Sequence, residues 1–285
     1  MKSLIKDTVK LSLVLFFVSG CANDLFYFPN SKLYQTPAYL NLQYESVYFN
    51  SKDGTKLHGW FMPSKGKALG TVVHFHGNAQ NISSHFRMVS WLPERNYNVF
   101  VFDYRGYGKS DGETERQGIF EDSVSALRYV AGRNDVDKNN IFLIGQSLGG
   151  ANCIAVAATV KDIKIRAVVI DSAFSSYQLI ARDKIAYFSI LSWFKTPLSK
   201  MLVSDKMSPV EYINKISPIP VFLIHGKKDK VIPIYHGKIL FKKAKMPKTM
   251  LVIEEGKHIE AFSRTGDTVK NKIIKYLNKY KYLNR

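Results

Sequence analysis

Gly145-Gln146-Ser147-Leu148-Gly149 sets a serine between two glycines, with apolar runs over 141–144 and 151–155 on either side. A G-x-S-x-G segment that closes a strand and opens a helix turns the chain sharply enough to lift a serine hydroxyl above a sheet edge. Side chains at the flanking positions would collide in that turn, hence Gly145 and Gly149. These residue types point to nucleophilic attack by Ser147 on a carbonyl group. A serine hydroxyl is a weak nucleophile near neutral pH and requires a positioned base. That base requires an acid to orient its ring and stabilise its cation.

Seven histidines compete for the role of base. His258 follows the last expected strand in Glu254-Glu255-Gly256-Lys257-His258, from which a loop can swing an imidazole over the sheet edge. His74 and His76 end an early strand and precede the serine, out of step with the order nucleophile, acid, base. His225 ends the penultimate strand, His236 lies on the helix after it, and His58 and His85 have no strand-end context. His258 is therefore the expected base. Asp229, in the loop His225-Gly226-Lys227-Lys228-Asp229-Lys230, follows a strand and falls between Ser147 and His258, so it is the expected acid. Asp171, ending an earlier strand, stands as its rival.

Attack on a carbonyl leaves an oxyanion that needs preorganised donors. The Leu148 amide supplies one, because the start of a helix favours negative charge. The second is expected from His76-Gly77-Asn78-Ala79, where Gly77 admits a close approach: the Asn78 amide, with Ala79 as the fallback. The Asn78 side chain is left to cap the next helix. Asp103-Tyr104-Arg105-Gly106-Tyr107-Gly108 reads as a turn held by an Asp103–Arg105 pair, not as catalytic. No metal-ligand spacing and no G-x-G-x-x-G phosphate cradle occurs. Ser–His–Asp chemistry needs no cofactor, and none is expected.

A common scaffold must carry these loops. Runs at 71–75, 98–102, 141–144, 167–170, 221–224 and 249–253 are apolar without alternation, as strands buried on both faces of a parallel sheet are. Residues 44–50 and 57–62 flank Asp53-Gly54 and predict an antiparallel hairpin. Helical patterns fall at 84–94, 118–132, 148–160, 235–244 and 265–283. The alternation predicts a doubly wound α/β fold with an antiparallel start and helices on both faces. Residues 172–220 break the rhythm with Phe174, Tyr177, Tyr187, Phe188, Trp193, Phe194 and with Pro197, Pro209 and Pro218. A small helical cap is expected there, since a loop of that length rarely lacks structure of its own. It would serve either as a lid shaping an apolar acyl pocket or as an extra layer over the sheet.

With serine turn, acid loop, base loop and oxyanion loop in order, the chain resembles the α/β-hydrolase superfamily over most of 44–285. His-Gly-Asn-Ala, Asp-Tyr-Arg-Gly-Tyr-Gly, Gly-Gln-Ser-Leu-Gly-Gly, Asp-Ser-Ala-Phe-Ser-Ser and His-Gly-Lys-Lys-Asp-Lys-Val-Ile-Pro resemble the Bem46-like branch in particular. That branch includes depalmitoylase-type hydrolases and membrane-tethered bacterial members. The resemblance implies hydrolysis of an ester or thioester and leaves the leaving group open. Lys227 and Lys228 depart from the pattern, and raise the expectation of positive potential beside the acid and a preference for anionic substrates.

The amino terminus has its own logic. Lys2, Lys6 and Lys10 precede an apolar run over 11–18, then Ser19, Gly20 and Cys21. Positive, apolar and small-residue stretches in that order predict an export signal. The run is shorter than the ~20 apolar residues of a membrane-spanning helix. Val18-Ser19-Gly20-Cys21 resembles the bacterial lipobox, which implies lipidation of Cys21 and removal of residues 1–20. A tether over 21–43 and a hydrolase domain over 44–285 would follow. Ala22, not Asp, follows Cys21, which leans towards the outer membrane where the cell has two. Cys153 is the other cysteine and reads as a small core residue.

The 285 residues carry a formal charge of +18. Such a surface suits anionic membranes, or reflects lysine-rich composition alone. No compact basic block with interleaved aromatics occurs, so nucleic acid is not an expected partner. The expectation is an envelope-anchored serine hydrolase acting on a small-molecule or acyl substrate. A serine peptidase and a non-catalytic lipoprotein module are the competing readings.

Overall fold

A computed structural model describes residues 26–186, 195–262 and 267–281. Cys21, the preceding signal-like segment, and Tyr187, Phe188, Trp193 and Phe194 of the expected cap lie outside the described residues. Eight strands form the main sheet: β1 (Glu45–Asn50), β2 (Lys56–Met62), β3 (Thr71–Phe75), β4 (Asn98–Phe102), β5 (Ile141–Gln146), β6 (Ile165–Asp171), β7 (Val221–Gly226) and β8 (Lys248–Ile253). Their spatial order is β8-β7-β6-β5-β3-β4-β2-β1. The hairpin β1–β2 is antiparallel, β2 meets β4 antiparallel, and every other pairing is parallel. This is the α/β-hydrolase arrangement expected from the sequence.

Strands β3 to β7 are buried along their whole length, because helical layers cover both faces. Alternate side chains divide between those layers. Val73, Leu143, Val168 and Ile170 pack with α1 (Arg116–Gly132) and α2 (Leu148–Thr159). Val72, Phe142, Ile144, Ala167 and Val169 pack on the other face, against Phe86, Leu92 and α6 (Asp267–Tyr280). At ~25 cal/mol per Å² of apolar surface removed from water, these two clusters supply the main driving force for folding.

Residues 84–94 do not form the continuous helix expected. A short turn, Ile82–His85, passes into 3-10 turns at Phe86–Met88 and Pro93–Arg95. Pro93 has no N–H to give a helix there. Within 172–220 lie α3 (Tyr177–Ala186), α4 (Lys195–Leu202) and 3-10 turns at Pro209–Glu211 and Ile213–Lys215. Helix α5 (Tyr235–Lys243) follows β7. Asp183 of α3 bonds Tyr235 and His236 of α5, which fastens the inserted helix to the body.

The segment from Phe26 onward is fastened too. Phe26 and Tyr27 are buried, and Phe28–Pro29 pairs in parallel with Ala79–Gln80. The Asn81 amide group donates to the Asn30 and Lys32 carbonyls, and the Ser83 hydroxyl accepts from the Tyr34 amide. Parallel strands end together, so the loops after β3, β5, β6, β7 and β8 converge on one sheet edge.

Candidate active site

Ser147 sits between β5 and α2 with φ 54° and ψ −120°, left-handed backbone that a non-glycine residue adopts only under constraint. Two bonds hold it there. Its amide donates to the Asp171 carbonyl at 2.9 Å, and its carbonyl accepts from Ala151 at 3.2 Å. The glycines do what the sequence requires of them. A Cβ on Gly145 would stand 2.6 Å from the Gly149 carbonyl oxygen, and one on Gly149 would stand 2.1 Å from that of Phe75.

His258, in the loop after β8, brings Nε2 to 3.0 Å from Ser147 Oγ. Its Nδ1 lies 2.8 Å from Asp229 Oδ2. The three residues form one hydrogen-bonded line, assembled from three separate loops. With Nδ1–H donating to the carboxylate, the Nε2 lone pair faces the serine hydroxyl. Asp229 Oδ1 accepts from the Val231 and Ile232 amides, each at 2.8 Å. Burial acts to raise the Asp229 carboxyl, yet the bond and charge of His258 and the Ile232 amide outweigh it and hold the group below its ordinary range.

Asp171, the rival acid, does not touch the imidazole. It accepts from the Ser172 hydroxyl at 2.9 Å and from Gln146 Nε2 at 3.2 Å. Gln146 Oε1 in turn bonds His74 at 3.0 Å, so a buried polar chain runs beneath the serine. Burial pushes Asp171 up to about 6.

Leu148 and Asn78 both line the pocket with Ser147. Neither main-chain amide donates to an acceptor among the described residues. The Asn78 side chain does not cap the following helix, as the sequence suggested. Asn81 does so, accepting from the Ser83 amide at 2.9 Å. Asn78 Oδ1 instead accepts from the Phe28 amide at 3.0 Å and the Tyr107 hydroxyl at 3.1 Å.

Asp103 and Arg105 are structural, but they do not pair with each other. Arg105 grips Asp122 through Nε and Nη2 and reaches Asp53 at 2.9 Å. Asp103 accepts from the Ile82 amide at 2.8 Å. Lys227 and Lys228 pair with Glu254 and Glu255, which offsets the positive potential expected beside the acid. Cys153 is fully buried, and burial pushes its thiol well up, as suits a core residue. Among the described residues no group of three or more His, Cys, Asp or Glu is placed to hold a metal.

The pocket over Ser147 measures about 630 Å³, and its walls are largely apolar: Phe26, Phe28, Phe174, Ile180, Val231 and Ile232. Lys184 of α3 also lines it, and burial lowers its ammonium against the opposing pull of Asp229 and Asp183. Phe26, Phe28 and Lys184 escaped the sequence reading. An aromatic run ahead of the domain was the only signal for the first two, and Lys184 lay hidden among many lysines.

A sequence profile of the α/β-hydrolase fold matches residues 70–196. The YfhR protein of Escherichia coli O157:H7 is 43% identical over 95% of each chain. Bem46 of Schizosaccharomyces pombe is 31% identical, covering 72% of this chain and 67% of its own. The Pyrococcus furiosus esterase Pf2001 superposes with a TM-score of 0.75, covering 90% of this chain and 98% of its own at 23% identity, which bears on the fold. On the sheet order, the serine turn and these identities together, the chain belongs to the α/β-hydrolase family, in its Bem46-like branch.

Proposed function

We propose that the protein is a serine hydrolase of carboxylic esters or thioesters with apolar acyl groups. The observation that carries this is the line Asp229–His258–Ser147, with 2.8 and 3.0 Å contacts, beneath an apolar pocket. His258 Nε2 takes the Ser147 proton as Oγ attacks the carbonyl carbon. The oxyanion is met by the Leu148 and Asn78 amides, and a donor of this kind is worth ~10²–10³ in kcat. Collapse expels the alcohol or thiol, which takes the proton from His258, and leaves an acyl-serine. Water, deprotonated by the same imidazole, then releases the acid and restores Ser147. Asp229 stays ionised throughout and stabilises the imidazolium.

Fluorophosphonate labelling tests the reading: wild type should form an adduct that Ser147→Ala does not. Absence of a Ser147 adduct in folded protein would leave a non-catalytic module. Faster turnover of aminoacyl amides than of p-nitrophenyl esters would make it a peptidase.

We also propose that Cys21 is lipidated and holds the protein at the cell envelope, on the outer membrane where the cell has two. Among the described residues no helix is long and apolar enough to cross a membrane. Phe26, on the pocket wall, follows Cys21 by five residues. Extended chain of that length reaches about 18 Å, so the anchor would keep the pocket close to the bilayer. A Cys21→Ala protein that still partitions with membranes, or a wild type without an acyl mass increment, would overturn this.

A further inference from the structure

The loop Gly77–Ala79 is held from four directions, while the amide at its centre has no acceptor among the described residues. The Gly77 carbonyl accepts from His76 Nδ1 at 2.7 Å, and the Ala79 carbonyl accepts from His85 Nε2 at 2.8 Å. Ala79–Gln80 pairs with Phe28–Pro29. The last hold is on the Asn78 side chain, where one carbonyl oxygen takes two donors, the Phe28 amide and the Tyr107 hydroxyl.

From this we infer that Phe28 and Tyr107 are positioning residues, which act through Asn78 Oδ1 to aim the Asn78 amide at the oxyanion. The inference rests on the hydrolase reading and adds to it that the segment ahead of the domain completes the active site. Its reason is rotational. The Asn78 N–H shares its peptide plane with the Gly77 carbonyl, which the His76 bond holds at one point. A plane held only there can still tilt about that bond, and a donor that tilts loses catalytic value because preorganisation is what it supplies. Clamping the central side chain removes that freedom. Tyr107 is fully buried and packs edge-on to His76, so its hydroxyl is a rigid donor. Phe28 offers a main-chain donor, tied by the pairing beside it and by Phe26, which packs edge-on to Tyr177 at 5.3 Å. The same segment walls the pocket through Phe26 and Phe28, so acyl binding and oxyanion geometry share one piece of chain.

The test uses the full chain, p-nitrophenyl acetate and fluorophosphonate labelling rates at Ser147. Phe28→Pro removes the amide donor, and Tyr107→Phe removes the hydroxyl. Each should lower kcat about tenfold with KM within twofold, since a small misplacement costs ~10–10² in rate. Asn78→Ala keeps the main-chain amide but loses the clamp, and should fall by as much as either. In the Asn78→Ala background, Phe28→Pro and Tyr107→Phe should add less than twofold. That coupling marks action through one oxygen, which general loosening would not produce. Leu33→Ala, on the same segment and exposed, should match wild type. If Phe28→Pro does not fold, Tyr107→Phe and its coupling to Asn78→Ala decide the matter. An inert wild type would defeat the hydrolase reading itself. An active wild type with equally active Tyr107→Phe and Asn78→Ala, or with effects that multiply in full, would overturn this inference alone.

Discussion

His258 Nδ1 donates to Asp229 Oδ2 at 2.8 Å, while the other carboxylate oxygen is already held by the Val231 and Ile232 amides. Asp229 is thus gripped from behind and turned towards the imidazole. Asp171, whose carboxyl lies within reach of the His258 charge, spends its oxygens on Ser172 and Gln146. Geometry, not proximity, separates the two.

That separation predicts unequal variants. Asp229→Asn should lower kcat by ~10³–10⁴, because an amide no longer enforces the reactive tautomer. Asp171→Asn should stay within about tenfold of wild type. Steady-state kinetics on p-nitrophenyl butyrate decides, and a reversed ranking would make Asp171 the acid.

Asp171 should show itself in stability instead. Folding raises its carboxyl to about 6 by burial, above its value in the unfolded chain. Its contribution is therefore complete below the unfolded pKa of ~4 and is lost as pH rises through about 6, where a buried carboxylate must be carried. Relative to Asp171→Asn, wild type should lose roughly 2–3 kcal/mol between pH 4 and 7.5. Urea unfolding of both proteins at the two pH values measures it; a constant difference would refute the shift.

Gly149→Ala should be severe. Its Cβ would meet the Phe75 and His76 carbonyl oxygens at 2.1 and 2.3 Å. Those atoms are backbone leading into the Gly77–Ala79 loop, so relief must move the proposed oxyanion donors. A loss of about 3 kcal/mol is expected, with Ser147 labelling slowed at least ~10²-fold. Labelling at the wild-type rate would show that the loop can yield.

Arg105 predicts a stability effect of another kind. Its guanidinium grips Asp122, which is fully buried. Arg105→Ala would strand that carboxylate at a cost of about 3–5 kcal/mol. Arg105→Lys should recover only part, since an ammonium lacks the planar fork. Denaturant midpoints read both, and equal stability of the Lys variant and wild type would remove the argument from geometry.

Much of the scaffold was legible in the sequence because its signals are local. Unalternated apolar runs marked the buried strands, and Gly145-Gln146-Ser147-Leu148-Gly149 marked the turn between β5 and α2. The apolar spacing over 84–94 fits a helix, but the folded chain leaves helical geometry after His85 and seats Phe86, Val89 and Leu92 in the core through 3-10 turns, with Pro93 barring only the last turn from a helix. The Asp103–Arg105 pair was misread because adjacent charges suggest partners, while the folded loop sends Arg105 to Asp122, seventeen residues on.

By itself, the sequence determined the serine turn, the strand order that makes His258 the last-loop histidine, and a choice of two acids. Each follows from short-range backbone constraints or from chain order. Only the tertiary structure decided that His258 bonds Asp229 and not Asp171, and that Phe26, Phe28 and Lys184 wall the pocket. Only it showed Asn78 held by Phe28 and Tyr107, fifty and twenty-nine residues away. Such contacts arise where separate loops meet at one sheet edge, and their directions are set by packing that no local pattern encodes.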